Sequence, residues 1–261
     1  MLASDHRVIA ISRSRVIGVQ EQVVGSFASA ADLARLDTYD IRVVVHLGAV
    51  MGGAPEDLAL SVNVAGSRLL IRHLMDRGCR RFIVASSIAA AGCLSPSFEP
   101  ETLPIADDHP CRAVDAYGLS KHLQEELAHY FVRATPDCDI VSLRIGSVMD
   151  SHGAPGDPAI VADPPKLPFL FFGKVRPDDV TDAFATIVNA PASPGSRVYN
   201  LVGPDSRTDA VVADVMRAAV GERGRHLDLA PFETIGRNAP PLWSMAALSR
   251  DYGFAPWRSV N

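Results

Sequence analysis

Residues 115–121 read Asp-Ala-Tyr-Gly-Leu-Ser-Lys. On a helix, Tyr117 and Lys121 stand one turn apart on a shared face. An ammonium held there lowers the phenol's pKa towards working pH, so that the tyrosine can exchange a proton with a substrate oxygen. Alone the pair says little, because Tyr-x-x-x-Lys recurs by chance and a surface lysine beside a core tyrosine is then the favoured reading. The upstream context adds weight. Arg80–Gly92 reads Arg-Arg-Phe-Ile-Val-Ala-Ser-Ser-Ile-Ala-Ala-Ala-Gly, an apolar strand that ends in two serines and a turn of small residues. In a doubly wound sheet, ligands sit outside the carboxyl ends of the strands. A serine hydroxyl at that end can hold a substrate oxygen beside the tyrosine. Strand-end capping accounts for Ser86 and less readily for both serines.

The elements that must carry these side chains are legible as an alternation. Short β-branched runs at Arg7–Ser12, Arg42–Gly48, Arg81–Ser86, Asp139–Ile145 and Arg197–Val202 alternate with longer helical patterns. That alternation predicts an α/β fold with a doubly wound, mostly parallel sheet. Continuous apolar triplets such as Val43-Val44-Val45 suit strands covered on both faces. Ser29 followed by Asp32 reads as a capped helix start. Pro55–Arg77 places Leu58, Val62, Ala65 and Leu69 on one face, and Tyr117–Arg133 offers Leu123, Leu127, Tyr130 and Phe131; both stripes are expected to face the core. Further helices are expected at Asp178–Asn189, Asp209–Val220 and Ser244–Tyr252. Met149–Lys174 and Glu222–Leu242 read as irregular, with Leu167–Phe172 an apolar patch expected to pack in a core. The expected organisation is a core over 1–148 and a small substrate lobe over 149–261, with 197–203 returning to the main sheet.

Bulk properties exclude several classes. The chain has 261 residues, 48% apolar and 21% charged, with a formal charge of −5. That length and composition suit a soluble globular fold, and the negative balance offers no basic surface to nucleic acid or an anionic membrane. Cys79, Cys93, Cys111 and Cys138 are scattered without a Cys-x-x-Cys pair, so reduced thiols and a cytoplasmic location are expected. The eight histidines make no metal-ligand spacing, and no metal is expected. No apolar run approaches the roughly 20 residues of a membrane span.

Taken together, the strand-Ser-Ser…Gly segment, Tyr117-Gly118-Leu119-Ser120-Lys121 and Arg144-Ile145-Gly146-Ser147-Val148 resemble the extended short-chain dehydrogenase/reductase family, its NAD-dependent epimerase/dehydratase branch. His46-Leu47-Gly48-Ala49, Asn63-Val64-Ala65-Gly66, Pro177-Asp178-Asp179-Val180, Asn200-Leu201-Val202-Gly203 and Tyr252-Gly253-Phe254-Ala255-Pro256 extend the likeness along nearly the whole chain. The resemblance implies a Rossmann-like fold. It implies Ser87, Tyr117 and Lys121 as the catalytic set, with Lys121 also on the nicotinamide ribose. It places Leu47, Gly48 and Ala49 along the dinucleotide, with Gly48 where alanine is commoner, and Asn63 near the site. It implies an NAD(P)-dependent oxidoreductase acting on a hydroxyl or carbonyl.

The sequence also departs from that pattern. The family opens with a strand, a Gly-x-x-Gly-x-x-Gly turn and a helix that receives the pyrophosphate, whereas His6–Ser12 resembles its second strand. The first glycine-rich unit is therefore expected to be missing, whether through a start placed too far downstream, a genuine truncation, or a fragment or partner-completed chain. An acid that would bond the ribose 2′-OH is replaced by Ser12-Arg13-Ser14-Arg15, which suits a 2′-phosphate and favours NADP over NAD. Gly25-Ser26-Phe27 stands where a Gly-Asp-hydrophobe contact to adenine is usual. The short stretch from Val148 to Pro177 favours a small polar substrate such as a sugar or sugar acid over a sugar nucleotide. A sugar-nucleotide epimerase or dehydratase, or a non-catalytic scaffold, are the alternatives. A homodimer through Pro55–Arg77 and Tyr117–Arg133 is expected by analogy with relatives.

Overall fold

The structure, a computed structural model, describes residues 6–149, 158–206 and 208–260; residues 150–157 of the expected Met149–Lys174 loop lie outside them. In chain order the main elements are β1 (Ile9–Ser12), β2 (Glu21–Val24), α1 (Ala30–Ala34), β3 (Val43–His46) and α2 (Glu56–Ala59). A π-helical segment, Leu60–Gly66, leads into α3 (Ser67–Met75). Then come β4 (Arg81–Ser87), α4 (Ala116–Ala134), β5 (Asp139–Ile145), β6 (Ser147–Val148), α5 (Pro168–Phe171), β7 (Lys174–Val175), α6 (Pro177–Asn189), β8 (Gly195–Leu201), α7 (Val212–Val220) and α8 (Ala246–Tyr252).

The main sheet has the order β3-β4-β5-β8, with every pair parallel. All but the last residue of β5 are buried, as a central parallel strand requires. β1 and β2 form a separate parallel pair. Among the described residues no backbone ladder joins β1 to β3. Side chains connect the two sheets instead: Val23, Leu70, Phe82 and Phe131 form one core cluster with Ile9, Ile11 and Val44 packed against it. A second cluster brings Ile88, Phe98 and Ile105 together with Phe169, Phe172, Val212 and Trp243. The apolar patch Leu167–Phe172 thus supplies core aromatics.

The strand pattern missed β2, whose four residues include one buried apolar side chain, Val23. It also missed the two-residue β6–β7 pair. Both are too short to carry a period. The larger correction concerns the two long helices. On α2 to α3 the buried residues are Ala59, Asn63, Gly66, Ser67, Leu70, Ile71, Leu74 and Met75, while Leu58 and Ala65 are exposed. On α4 they are Gly118, Ser120, Lys121, Gln124, Glu125, Ala128 and Phe131, while Tyr130 is exposed and Leu123 and Leu127 are half-buried. Phe131 faces inward as expected, and Leu69 and Leu127 pack half-buried against the same core cluster, whereas Leu58, Ala65 and Tyr130 face outward. The polar residues win the inward positions because they satisfy one another there.

Candidate active site

Tyr117 sits in the first turn of α4. Asp115 caps that helix, its carboxylate accepting from the Gly118 amide at 2.8 Å. The residue after Tyr117 has to be glycine: a Cβ on Gly118 would lie 2.5 Å from the Ala89 carbonyl oxygen. This close approach presses the start of α4 onto the turn that follows β4. There Ser87 caps a short 3-10 turn, Ile88–Ala91, its hydroxyl accepting from the Ala89 amide. Gly92 closes the turn at φ 116°, and a Cβ there would strike the Arg112 carbonyl group. Two glycines therefore bring Ser87 and Tyr117 together.

The Ser87 hydroxyl lies near enough to the Tyr117 phenol to act on its pKa. Lys121 lies one turn further along α4 and is 3% exposed. Its Nζ is 5.7 Å from the centre of the Tyr117 ring and donates to the Ala85 carbonyl at 2.8 Å. Ser87, Tyr117 and Lys121 thus converge at the carboxyl end of β4. Burial raises the Tyr117 pKa, with the Ser87 hydroxyl lowering it and nearby Asp115 raising it. This corrects the expectation of a phenol lowered by the lysine: desolvation is the larger effect. Burial lowers Lys121 to about 8, against the raising influence of Glu125.

The remaining expected site residues are distributed along the strand ends. Ser12 ends β1 and accepts from the Gly25 amide at 2.9 Å; Arg13 follows on an exposed turn. Leu47 is 63% exposed just past β3, with Gly48 and Ala49 half-buried beside it. Gly48 cannot become alanine in place, since a Cβ would come within 2.5 Å of the Phe27 ring. Phe27 in turn lies edge-on to His46 at 4.8 Å. Asn63 is fully buried. Its amide clasps Val50 from both sides, Oδ1 accepting from the backbone N–H at 2.7 Å and Nδ2 donating to the carbonyl at 3.1 Å. Nδ2 also donates to Ser120 Oγ at 2.9 Å. Asn63 therefore fixes the loop after β3 to α4.

Sequence reasoning missed a buried network beneath this cluster. Ser86 and Asn200 both stand opposite Arg144 in the sheet. Glu125 accepts from Ser86 at 2.6 Å and receives Arg144 in a two-pronged pair at 2.9 and 2.8 Å. A glutamate four residues beyond the lysine was the available signal. Among the described residues no three His, Cys, Asp or Glu side chains gather to hold a metal ion, and no helix is long and apolar enough to cross a membrane.

This architecture defines a class of protein: α/β chains with a serine, a tyrosine and a lysine gathered at the carboxyl ends of parallel strands. The profile of the NAD dependent epimerase/dehydratase family matches residues 1–161, and the chain belongs to that family. The UDP-glucose 4-epimerase of Dictyostelium discoideum is 22% identical over 173 residues, 62% of this chain and 47% of that protein. That of Pasteurella multocida is 30% identical over 93 residues, 34% of this chain and 25% of that protein. The chain thus matches about half or less of the length of these curated relatives. Among solved structures, a mutated uronate dehydrogenase is 25% identical over 79% of this chain and 69% of its own, with a TM-score of 0.62. A short-chain dehydrogenase/reductase superfamily protein from Agrobacterium tumefaciens with bound NAD is 21% identical, covers 99% of this chain and 87% of its own, and has a TM-score of 0.69.

Proposed function

We propose that the chain is an NAD(P)-linked oxidoreductase that acts on a hydroxyl or carbonyl of a small polar substrate of the sugar or sugar-acid class. The observation that carries this reading is the convergence of Ser87, Tyr117 and Lys121, with the lysine buried beside the phenol. A buried ammonium is costly to retain without a use for its charge.

The fit to a nicotinamide dinucleotide divides in two. Tyr117 and Lys121 present a phenol and an ammonium suited to ribose hydroxyls, and Leu47, Gly48 and Ala49 offer a wall past β3. Among the described residues no strand leads through a Gly-x-x-Gly-x-x-Gly turn into a helix, so the pyrophosphate has no dedicated amide cradle there. The nicotinamide-ribose half fits, held by Tyr117 and Lys121 with Ser12 and Arg13 towards the adenosine end. The cofactor, when bound, supplies the hydride acceptor or donor.

The protein's own share is proton handling and positioning. Ser87 Oγ orients the substrate oxygen. Tyr117 takes the hydroxyl proton in oxidation, or returns one to the carbonyl oxygen in reduction. Lys121 stabilises the phenolate that oxidation requires, and grips the ribose. Arg13 and Arg15, exposed at the end of β1, suit a 2′-phosphate, so NADP is favoured. Titration with NADH and NADPH, followed by nucleotide fluorescence, tests this: saturable binding of either is expected, tighter for NADPH, and weaker in Lys121→Ala. No binding of either would overturn the reading. A uronate and UDP-glucose, offered separately, test the substrate class; turnover of UDP-glucose alone would favour the epimerase alternative that the curated matches suggest. The outward apolar stripes of α2–α3 and α4 are proposed to pair two copies of the chain.

A further inference from the structure

Glu125 is 2% exposed and Arg144 4% exposed. A carboxylate so buried is costly unless it is paired and hydrogen-bonded, and this one accepts three bonds, one from Ser86 and two from Arg144. Each partner belongs to an element that carries part of the candidate site. Ser86 immediately precedes Ser87. Glu125 stands one helical turn past Lys121, hence on the same face of α4. Arg144 Nη1 donates to the carbonyls of Asp107 at 3.1 Å and His109 at 3.2 Å, in the segment that leads to the Asp115 cap of α4. Asn200 holds that segment from the other side, Nδ2 donating to the Ile105 carbonyl at 3.0 Å.

We propose that Glu125, clamped by Arg144 and Ser86, is a positioning residue for the hydride-transfer site: it fixes α4 against the end of β4 and supplies the counter-charge of the Lys121 ammonium. The inference rests on the reading of Tyr117 and Lys121 as the proton-handling pair. Three groups face Lys121 from the elements around it. They are the Tyr117 ring on its own helix, His46 at the end of β3, and Glu125. His46 is neutral down to about pH 4, which leaves Glu125 as the negative partner among these groups. Arg144 acts in the opposite sense, drawing the carboxylate's charge to itself.

The chain has three lysines, Lys121, Lys166 and Lys174, so a sample labelled with ¹³C-lysine gives few side-chain signals, and Lys121→Arg assigns the relevant one. In Glu125→Gln the Lys121 signal is expected to titrate lower than in the wild type, by about one unit or more. In Arg144→Met, which leaves Glu125 without its pair, it is expected to titrate higher. A role confined to stability predicts loss of thermal stability in both variants with the Lys121 titration unmoved, and that result would overturn the proposal. Because the two shifts have opposite sign, either folded variant alone decides. NADH titration of the wild type separates this proposal from the reading beneath it. Binding with an immobile Lys121 signal sinks the clamp alone, whereas shifted signals without binding support the clamp and sink the cofactor assignment.

Discussion

On the proposed reading the Tyr117 phenol has to give up or accept a proton while the lysine beside it keeps its charge, and burial opposes both, raising the phenol's pKa and lowering the ammonium's to about 8. Tyr117→Phe removes the proton and little else. A fall in kcat of about 10²–10⁴ is expected, well beyond the loss of NADPH affinity seen by fluorescence titration; an equal loss of affinity would mean that the phenol binds without reacting. His46 offers a second test at this scale. Its ring nitrogen bonds Ser67 Oγ at 2.8 Å in a core that Gln124 also enters, donating to the same hydroxyl at 2.7 Å. Burial, helped by the Lys121 charge, holds His46 at about 4 when folded, whereas a free histidine titrates near 6.5. The unfolded chain therefore binds a proton first as pH falls, so this residue's share of stability is intact above about 6.5 and drains away towards 4. Urea unfolding across that range should show a steeper loss in the wild type than in His46→Gln, and equal slopes would refute the assignment. Ser87, Tyr117 and Lys121 could be read from the chain because the spacing that joins them is local: one helical turn, and one strand end. The direction of the phenol's shift could not, since it depends on how much water the fold removes.

At the scale of elements, the two long helices show why an apolar stripe is not always an inner face. Their periods were readable, and the helices lie where the pattern put them. Which side turns inward was decided by pairings between distant residues: Asn63 with Ser120, Ser67 with Gln124, Glu125 with Arg144. No local window contains both members of such a pair. Once made, these bonds bind α4 to the sheet as firmly as apolar packing would. Glu125→Ala leaves the Arg144 guanidinium buried without its anion, and a loss of about 3–5 kcal/mol is expected in denaturant unfolding. Phe131→Ala, at a site with 0% exposure on the same helix, should cost about 3–5 kcal/mol through its cavity. The two losses have different signatures. Lowering the pH does not relieve the cavity, whereas replacing the whole pair, as in Glu125→Leu with Arg144→Met, should recover much of the first loss. A double variant no more stable than Glu125→Ala would show that the ion pair is not the source of the cost.

For the molecule as a whole, the outward stripes raise the question of what covers them. Leu58 is 44% exposed and Tyr130 45%, and Leu123 and Leu127 stand half-buried near them on α4. α2 and α4 pack against each other, so their stripes share one side of the molecule. Scattered exposed apolar residues are ordinary, and the proposal of a self-pairing surface rests on their grouping on two packed helices. α4 carries Lys121 on its inner side, and the π-helical segment after α2 carries Asn63. A stable pair needs about 1,200–2,000 Å² of buried surface in total, and two facing pairs of helices can supply that. Sedimentation velocity at micromolar concentration is expected to show a dimer for the wild type and a monomer for Leu58→Glu combined with Tyr130→Glu. Both substituted positions are exposed, so far-ultraviolet circular dichroism of the variant should match the wild type. A wild-type monomer across that concentration range would leave these stripes without a self-partner and refute the pairing.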